Sequence, residues 1–355
     1  MNALIPIDRS GPFLAKALRH DLDTIANALI ETFGLRFAQE VPNLSEPLPR
    51  WFDFLFRYVE PKPRLVAFSD RFAKPLEPGA HRALAPFLER VRNGEDINPY
   101  QGRGLKLRHD TSGHNHSNRT DYLFASWNIL HFHLSEESIP EGRYFSKSAD
   151  WLAFGIVTDY EMGLVDVMRH PDKEGFSDPA LFETLARSWP DYVEPFRIKA
   201  ASRVERPLNQ SEIHTLREKG ANPAYAFNGQ TYIGPGGGYT SAGTTMRTAL
   251  ALAHITRTFG PLADTIRMPD GPYRSHDAVA QILDPRFSLR LYAGGLGVYE
   301  ERTRTLFVET LERDVVPRSL RWLSDLVVPS WSLLEVARNK DRLNELFCDA
   351  PATIG

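Results

Sequence analysis

The chain has 355 residues, of which 42% are hydrophobic and 25% are charged, so it is long enough to bury a core and is predicted to be globular. A formal net charge of -3 excludes general coating of duplex nucleic acid, so any nucleic-acid contact must come from a local patch. Cys348 is the only cysteine, which excludes intramolecular disulfides and cysteine-rich zinc sites and favours a reducing cytoplasm. No apolar run reaches the roughly 18 residues of a membrane span, so we expect a soluble, cytoplasmic protein without membrane contact.

The first hundred residues are predicted to be helical. Apolar residues recur at three- and four-residue spacing from Leu14 to Phe33, and the pattern stops at Gly34. Further helices are expected over 51–58 and 80–91. The polar segment 108–119 breaks the helical pattern and is expected to form an exposed loop.

The middle of the chain is strand-like in composition. Runs rich in β-branched and aromatic residues predict three strands, over 129–134, 151–158 and 162–168. The last two are expected to pair as a hairpin, and helices should follow over 179–187 and 209–220. Asn228-Gly229, flanked by apolar residues, predicts a second hairpin.

The remaining sequence predicts a glycine-rich loop over 234–245, a helix that begins near Met246, one hairpin over 289–308 and closing helices. These elements indicate an α+β fold in which helices flank a small central antiparallel sheet. We expect a helical N-terminal region, a central α+β catalytic domain and a mostly helical C-terminal region with one hairpin, over residues 1–107, 108–245 and 246–355.

Histidines in the central region are the strongest candidates for chemistry. His131 and His133 lie two residues apart on a predicted strand, so both imidazoles should project from one face. His170 follows another strand, on which Asp166 shares its face and could orient it. Imidazoles titrate near neutral pH and suit acid–base catalysis. The alternative is that they are structural histidines bonded to the backbone.

A cationic cluster lies between the histidine pair and the predicted hairpin. Arg143 and Lys147 could bind phosphate and stabilise the negative charge of a phosphoryl transition state. A solvated surface loop is the equally simple alternative.

The glycine-rich loop is a candidate substrate-binding segment. Because it precedes a helix, its backbone N–H groups and hydroxyls could hold phosphate, and its candidate contacts are Tyr239, Thr240, Ser241 and Thr244. The alternative is a mobile loop followed by a threonine-capped helix.

Two histidine sets suit a metal. One is the polar loop, with His109, His114, His116 and Asp110. The other begins at the His131/His133 pair and is completed by His170, His254 or His276-Asp277, which would give a metal-dependent hydrolase. The first-choice hypothesis needs neither a metal nor a cofactor.

The residues from Asp121 to Pro190 resemble an uncharacterised bacterial family. The shared pattern is His-x-His-Leu, an arginine, an apolar strand, a strand ending in histidine and Trp-Pro, which here are residues 131–134, Arg143, 151–159, 164–170 and 188–190. This similarity covers under half of the chain and implies the boundaries of a unit.

A looser similarity connects the same layout to RelE-type and EndoU-type ribonucleases. EndoU-type enzymes use two histidines, a lysine, and a threonine or serine together with a tyrosine. The resemblance implies these roles for His133, His170, Lys147, Tyr239 and Thr240 or Ser241.

The sequence therefore predicts a metal-independent endoribonuclease of the toxin or antiphage-effector type, acting on single-stranded RNA or tRNA. One histidine would deprotonate the ribose 2′-OH, another would protonate the 5′ oxygen, and Arg143 or Lys147 would stabilise the phosphorane. Candidate surfaces for base stacking are Phe132, Tyr144, Trp151 and Tyr239. The alternatives are the metal-dependent hydrolase and a non-catalytic sensor or protein-interaction module, in which the terminal regions bind a partner or inhibitor. The sequence sets no oligomeric state.

Overall fold

The computed structural model describes residues 13–172, 174–199, 206–308 and 319–349 together with the backbone of 352–353. Its elements confirm the predicted α+β class. The helices are α1 (Leu14–Thr32), α2 (Pro47–Arg57), α3 (Pro78–Asn93), α4 (Tyr122–Trp127), α5 (Pro179–Ser188), α6 (Pro190–Val193), α7 (Gln210–Glu218), α8 (Met246–Arg267), α9 (Ser319–Val327), α10 (Leu333–Arg338) and α11 (Lys340–Leu343). The strands are β1 (Leu65–Phe68), β2 (Leu130–His133), β3 (Trp151–Val157), β4 (Glu161–Arg169), β5 (Tyr225–Phe227), β6 (Gln230–Tyr232), β7 (Phe287–Tyr292), β8 (Gly295–Glu300), β9 (Thr305–Val308) and β10 (Ala352–Thr353).

Two compact units make up the chain, with boundaries inside α2 and α8. The first unit comprises Met1–Leu35, Glu46–Phe52 and Leu250–Gly355, and the second comprises Arg36–Ser45 and Asp53–Ala249. These boundaries differ from the predicted segments 1–107, 108–245 and 246–355. Residues 53–107 belong with the central region because β1 pairs with β4 and α3 packs against the same sheet.

The second unit is built on a four-stranded sheet in the order β1-β4-β3-β2. Strands β2, β3 and β4 are antiparallel neighbours, and β3 and β4 form the predicted hairpin. The sheet also has a strand that the sequence did not predict, β1, which runs parallel to β4 with Leu65 opposite Glu161. The sequence of β1, Leu-Val-Ala-Phe, lacks the alternation of polar and apolar residues that indicates a strand.

Both faces of this sheet are covered, which explains why β3 is apolar at successive positions. One face packs on α3, where the rings of Phe87 and Phe132 lie 5.1 Å apart. The opposite face carries Phe154, which belongs to the same buried cluster as Phe182 of α5. His131 alternates with Phe132 along β2, so its side chain lies on this second face.

The first unit contains a second sheet, in the order β10-β9-β8-β7. The hairpin predicted over 289–308 is present as β7 and β8, and an additional strand, β9, extends it to an antiparallel meander. Strand β9 lies inside the predicted range and pairs with β8, with Val298 opposite Phe307. The sequence did not distinguish β8 and β9 from one long second strand. The buried carboxylate of Asp21 in α1 accepts a hydrogen bond of 2.9 Å from the backbone of Leu289 and joins α1 to β7.

Local signals for helix ends and turns are confirmed. Asn209 and Glu212 form a reciprocal capping box at the start of α7. Asn228 and Gly229 both have positive φ, 47° and 72°, as a two-residue hairpin turn requires. Within the described residues, no helix combines the length and apolarity that a membrane crossing requires.

The polar segment 108–119 is not exposed throughout, contrary to its composition. Asp110, Thr111 and Ser112 are buried. The Asp110 carboxylate accepts hydrogen bonds from the backbone of Ala38 and from the backbone and hydroxyl of Ser112, at 2.6–3.0 Å. Polar residues of the segment 108–119 therefore accept hydrogen bonds from backbone N–H groups inside the second unit. Composition alone does not indicate this buried role.

Candidate functional site

A cluster of three histidines lies on the second face of the central sheet. The ring centroids of His131 and His133 are 6.1 Å apart, as two residues on one face of a strand require. The ring of His170 lies 5.5 Å from that of His133. The structure therefore brings together the three histidines that the sequence singled out, within the second unit.

Strand register places His170 beside the pair. His133 lies opposite Leu152 on β3, and Leu152 lies opposite Met168 on β4. The backbone N–H of His170 donates a hydrogen bond of 2.7 Å to the carbonyl of Asp150, which extends the β3–β4 ladder past the strand end. His131 and His133 are half-buried and His170 is exposed, so the cluster, here called the histidine hollow, is open to solvent at His170.

Phe176 forms an aromatic wall of the hollow. Its ring lies 5.1 Å from that of His131 and 6.0 Å from that of His170. Arg217 of α7, which is buried, holds this residue by donating to the Phe176 carbonyl at 2.8 Å and to the Ser177 hydroxyl at 3.1 Å. The position of Phe176 is therefore fixed by a residue of α7, a helix outside the sheet.

Burial and neighbouring charge keep His133 neutral. Burial lowers the pKa of His133 to about 4, with further lowering from His131, His170 and Arg108. Its Nδ1 is buried without a hydrogen-bond partner in the described residues. Its Nε2 side faces Gly102, where an added Cβ atom would lie 2.9 Å from Nε2. His133 is thus an uncharged imidazole at pH 7 with little support for a positive charge.

His131 differs because it has a carboxylate neighbour. Its Nδ1 lies 3.4 Å from Oδ2 of Asp121, within ion-pair distance but outside hydrogen-bond alignment. Asp121 also caps α4, where Oδ1 accepts hydrogen bonds from the backbone of Leu123 and Phe124 at 2.9 and 3.2 Å. Burial lowers the pKa of His131, and the charge of Asp121 partly opposes that effect.

A buried ion pair lies near Asp121. The guanidinium of Arg57 donates to Oδ2 of Asp53, and both residues are almost completely buried. Nη1 of Arg57 also contacts Nδ1 of His109 at 2.9 Å. Burial raises the pKa of Asp121, but electrostatic interactions with His131, His109 and Arg57 and a cap hydrogen bond outweigh it, so the net pKa is lowered.

Sequence reasoning missed Asp121 and Arg57 as parts of the site. Asp121 could have been recognised as a helix cap, since it precedes an apolar run. The spacing of Asp53 and Arg57, four residues apart in a predicted helix, signals an ion pair. Neither signal shows that the two charges lie beside a histidine from β2.

The predicted cations Arg143 and Lys147 lie elsewhere on the surface. Lys147 is exposed and pairs with Glu137. Arg143 is also exposed, and its backbone N–H donates to the carbonyl of Pro140 at 3.0 Å. Across the described residues, no hydrogen bond or ion pair joins either side chain to the histidine hollow. Arg108 is the cation whose charge reaches His133.

The predicted substrate-binding residues of the glycine-rich loop form a separate group. Tyr239 is buried and donates from its hydroxyl to the carbonyl of Ala221 at 2.6 Å. The hydroxyls of Thr240 and Thr244 lie 2.9 Å apart, and the carbonyl of Ser241 accepts from Nε2 of His116 at 3.3 Å. These contacts hold the loop together and do not extend to the three histidines.

Two of the four rings proposed for base stacking are buried. Phe132 is fully buried in the core beneath α3, and Tyr239 is buried in the loop. Tyr144 and Trp151 are half-buried, and each carries a cation over its ring: Lys106 at 4.1 Å and Arg169 at 4.7 Å.

The candidate metal ligands do not form a metal site in the part of the chain that is described. No group of three or more His, Cys, Asp or Glu residues there has the arrangement to hold a metal ion. His109 contacts Arg57, His116 contacts the Tyr122 hydroxyl, and the backbone of His114 donates to Glu40. In the first unit, His254 stacks on Trp322 at 3.9 Å and His276 packs against Phe307 at 5.2 Å.

Comparisons of the chain with protein families, with curated proteins and with solved structures found no match.

Proposed function

We propose that the histidine hollow cleaves RNA by metal-independent general acid–base catalysis. The observation that carries the proposal is the spacing of His133 and His170, whose rings lie 5.5 Å apart with one half-buried and the other exposed. A catalytic hydrogen bond spans about 2.6–3.2 Å, so two such rings can contact two oxygens of one phosphoryl group. Burial keeps the imidazole of His133 neutral at pH 7.

The two proton transfers of the reaction are divided between one of the half-buried inner histidines and the exposed outer histidine, His170. An inner one, His131 or His133, removes the proton of the ribose 2′-OH as the 2′ oxygen bonds to phosphorus. The bond from phosphorus to the 5′ oxygen breaks, and protonated His170 gives that oxygen a proton from Nε2, since its Nδ1 donates to the Pro171 carbonyl at 2.9 Å. The products are a 2′,3′-cyclic phosphate and a free 5′-OH.

A basic turn beside the hollow supports a phosphodiester substrate. The π-helical turn Gly104–Arg108 follows Gly102, where an added Cβ atom would lie 2.9 Å from His133, and a Cβ atom added at Gly104 would lie 2.8 Å from His109. Arg103 and Arg108 are exposed there. Arg108 would stabilise charge on the phosphoryl group, the role first assigned to Arg143 or Lys147. Single-stranded RNA fits this local patch better than a duplex, since the whole chain has a net charge of -3.

The test is an RNA-cleavage assay of the full chain in EDTA. The substrates are a labelled single-stranded RNA and DNA of the same sequence. We expect cleavage of RNA alone, a loss of about 10²-fold or more in His170→Asn, and unchanged activity in His81→Asn, a control for an exposed histidine on α3. RNA left intact by the wild-type protein, or equal cleavage by both variants, would refute the proposal.

A toxin or antiphage role is tested in cells. Induced expression of the wild-type chain should arrest growth, whereas His170→Asn at equal protein levels should not. Equal arrest by both would show that any toxicity is unrelated to the hollow.

A further inference from the structure

The ribonuclease proposed above leaves two inner histidines as candidates for the base. We infer that His131 is the general base and that Asp121 is its positioning residue, which holds the imidazole proton on Nδ1 and leaves Nε2 to accept the substrate proton. The inference rests on the proposed function. It adds Asp121, whose contact with His131 assigns the role of base to His131 and not to His133.

The two inner histidines differ in what faces Nδ1. Oδ2 of Asp121 lies 3.4 Å from Nδ1 of His131. Nδ1 of both rings is buried without a hydrogen-bond partner among the described residues, so the carboxylate contact is what distinguishes His131 from His133. A carboxylate beside one ring nitrogen favours the tautomer with the proton on that nitrogen, so Asp121 favours the Nδ1–H form of His131, in which Nε2 can accept a proton.

The charge that develops on the base gives a second reason. A general base becomes an imidazolium as it takes the proton, and a neighbouring carboxylate stabilises that cation. Asp121 favours a positive charge on His131, where His170 and Arg57 oppose it. The groups that act electrostatically on His133 are His131, His170 and Arg108, and all three oppose a positive charge there.

Asp121 is itself held rigidly. Its Oδ1 is fixed by the backbone N–H groups of Leu123 and Phe124, so Oδ2 is the oxygen left for His131. Arg57, whose positive charge acts on the carboxylate, favours its ionised form. The other groups around the His131 ring are His133, Phe154, His170 and Phe176. Asp121 is therefore the only carboxylate that acts on His131 within the described part of the chain.

The capping role allows a clean substitution. Asparagine caps helices as well as aspartate does, so Asp121→Asn keeps the hydrogen bonds to α4 and removes the charge next to His131. A matched control exists in Asp178→Asn, because Asp178 caps α5 by accepting from the backbone of Ala180 at 2.9 Å and has no histidine neighbour in the described contacts.

The experiment combines two readouts on the full chain. Nitrogen-15 NMR of histidine-labelled protein reports the tautomer of His131, assigned with a His131→Gln variant. We expect the Nδ1–H form in the wild type and in Asp178→Asn, and a mixture or the Nε2–H form in Asp121→Asn. In the RNA assay, Asp121→Asn should lose about 10²- to 10⁴-fold in kcat/KM, and the acidic limb of its pH profile should move to lower pH.

The outcomes separate this inference from the proposed function. An Nε2–H tautomer of His131 in the wild type, or an Asp121→Asn protein with an unchanged tautomer and pH profile, would overturn the role of Asp121 whether or not RNA is cleaved. A wild-type protein that is inert toward RNA would overturn the assignment of His131 as base, and the NMR result would still decide whether Asp121 orients the ring. Loss of the acidic limb in His133→Gln but not in His131→Gln would assign the base to His133 instead.

Discussion

Nη1 of Arg57 donates a hydrogen bond of 2.9 Å to Nδ1 of His109. A guanidinium has donors only and stays charged, so His109 accepts at Nδ1 and its own proton lies on Nε2. The same guanidinium is paired with Asp53, whose other oxygen accepts from the Thr120 hydroxyl at 2.5 Å. The Arg57 guanidinium therefore places a permanent positive charge in the interior next to Asp121. Its removal should lower both the free energy of unfolding and the catalytic rate.

The substitution Arg57→Met should destabilise the second unit strongly. It breaks the buried ion pair of Arg57 with Asp53, and the loss of one partner of such a pair typically lowers the free energy of unfolding by about 3–5 kcal/mol. Urea unfolding followed by tryptophan fluorescence measures the change. Arg187→Ala is the control, because the Arg187–Asp70 pair is exposed and such pairs contribute about 0–1 kcal/mol. Similar losses in the two variants would contradict the buried-pair interpretation.

Gly102→Ala should disturb His133 directly. Gly102 has a φ of 78°, and an added Cβ atom would lie 2.9 Å from Nε2 of His133, so both backbone strain and displacement of the ring are expected. Strain of this kind costs about 1–3 kcal/mol. The control is Gly142→Ala, with a φ of 71° and no neighbour within 4 Å of the added atom. RNA cleavage should fall in Gly102→Ala and stay unchanged in Gly142→Ala. Equal cleavage by the two variants would show that His133 tolerates displacement.

Folding stability should decrease as the pH falls from 7 to 5. The pKa of His133 is lowered from 6.5 to about 4, so between these values the unfolded chain binds more protons at His133 than the folded chain does. Stability therefore rises with pH in that window, by at most about 2 kcal/mol from pH 5 to 7, since the side chain is only half-buried. Thermal unfolding of wild type and His133→Asn at pH 5, 6 and 7 measures this. A His133→Asn protein with the same pH slope as the wild type would contradict the assignment.

Arg108→Gln should weaken RNA binding more at low salt than at high salt. Arg108 is exposed and its charge acts on His133, so it is placed to contact a phosphate of the bound strand. Loss of one phosphate contact reduces the slope of log affinity against log salt by about 1. Fluorescence anisotropy with labelled RNA on the inactive His170→Asn background measures the slope. Arg82→Gln, an exposed position on α3, should leave it unchanged. Equal slopes for the two variants would remove Arg108 from the binding surface.

Local patterns in the sequence were sufficient for most elements of the second unit. The alternation in β2, the Asn228-Gly229 turn and the caps Asp178 and Asn209 all depend on neighbouring residues, and the structure confirms the elements they predicted. Strand β1 was missed because its pairing with β4 joins Leu65 to Glu161, and a contact at that sequence distance leaves no local pattern. The prediction of β1 failed because its partner strand is far away in the sequence, and not because of the composition of β1.

The candidate site shows the same limit. His131 and His133 share a face because of strand periodicity, and that part of the cluster followed from spacing alone. The cations predicted from proximity in sequence, Arg143 and Lys147, have exposed positions, with Lys147 paired to Glu137. The charges that act on the histidines come from the helix α2, the cap of α4 and the turn at 104–108, which only the tertiary fold brings to β2.

The chemistry of the cleaved ends tests the central claim most directly. Wild-type protein is incubated in EDTA with a single-stranded RNA and with the same RNA carrying a 2′-deoxy sugar at the cleaved position, and the products are analysed by mass spectrometry. Acid–base catalysis in the histidine hollow predicts a 2′,3′-cyclic phosphate and a 5′-OH from the first and no cleavage at the modified position of the second. Ends with a 5′-phosphate and 3′-OH, or cleavage at the 2′-deoxy position, would contradict it.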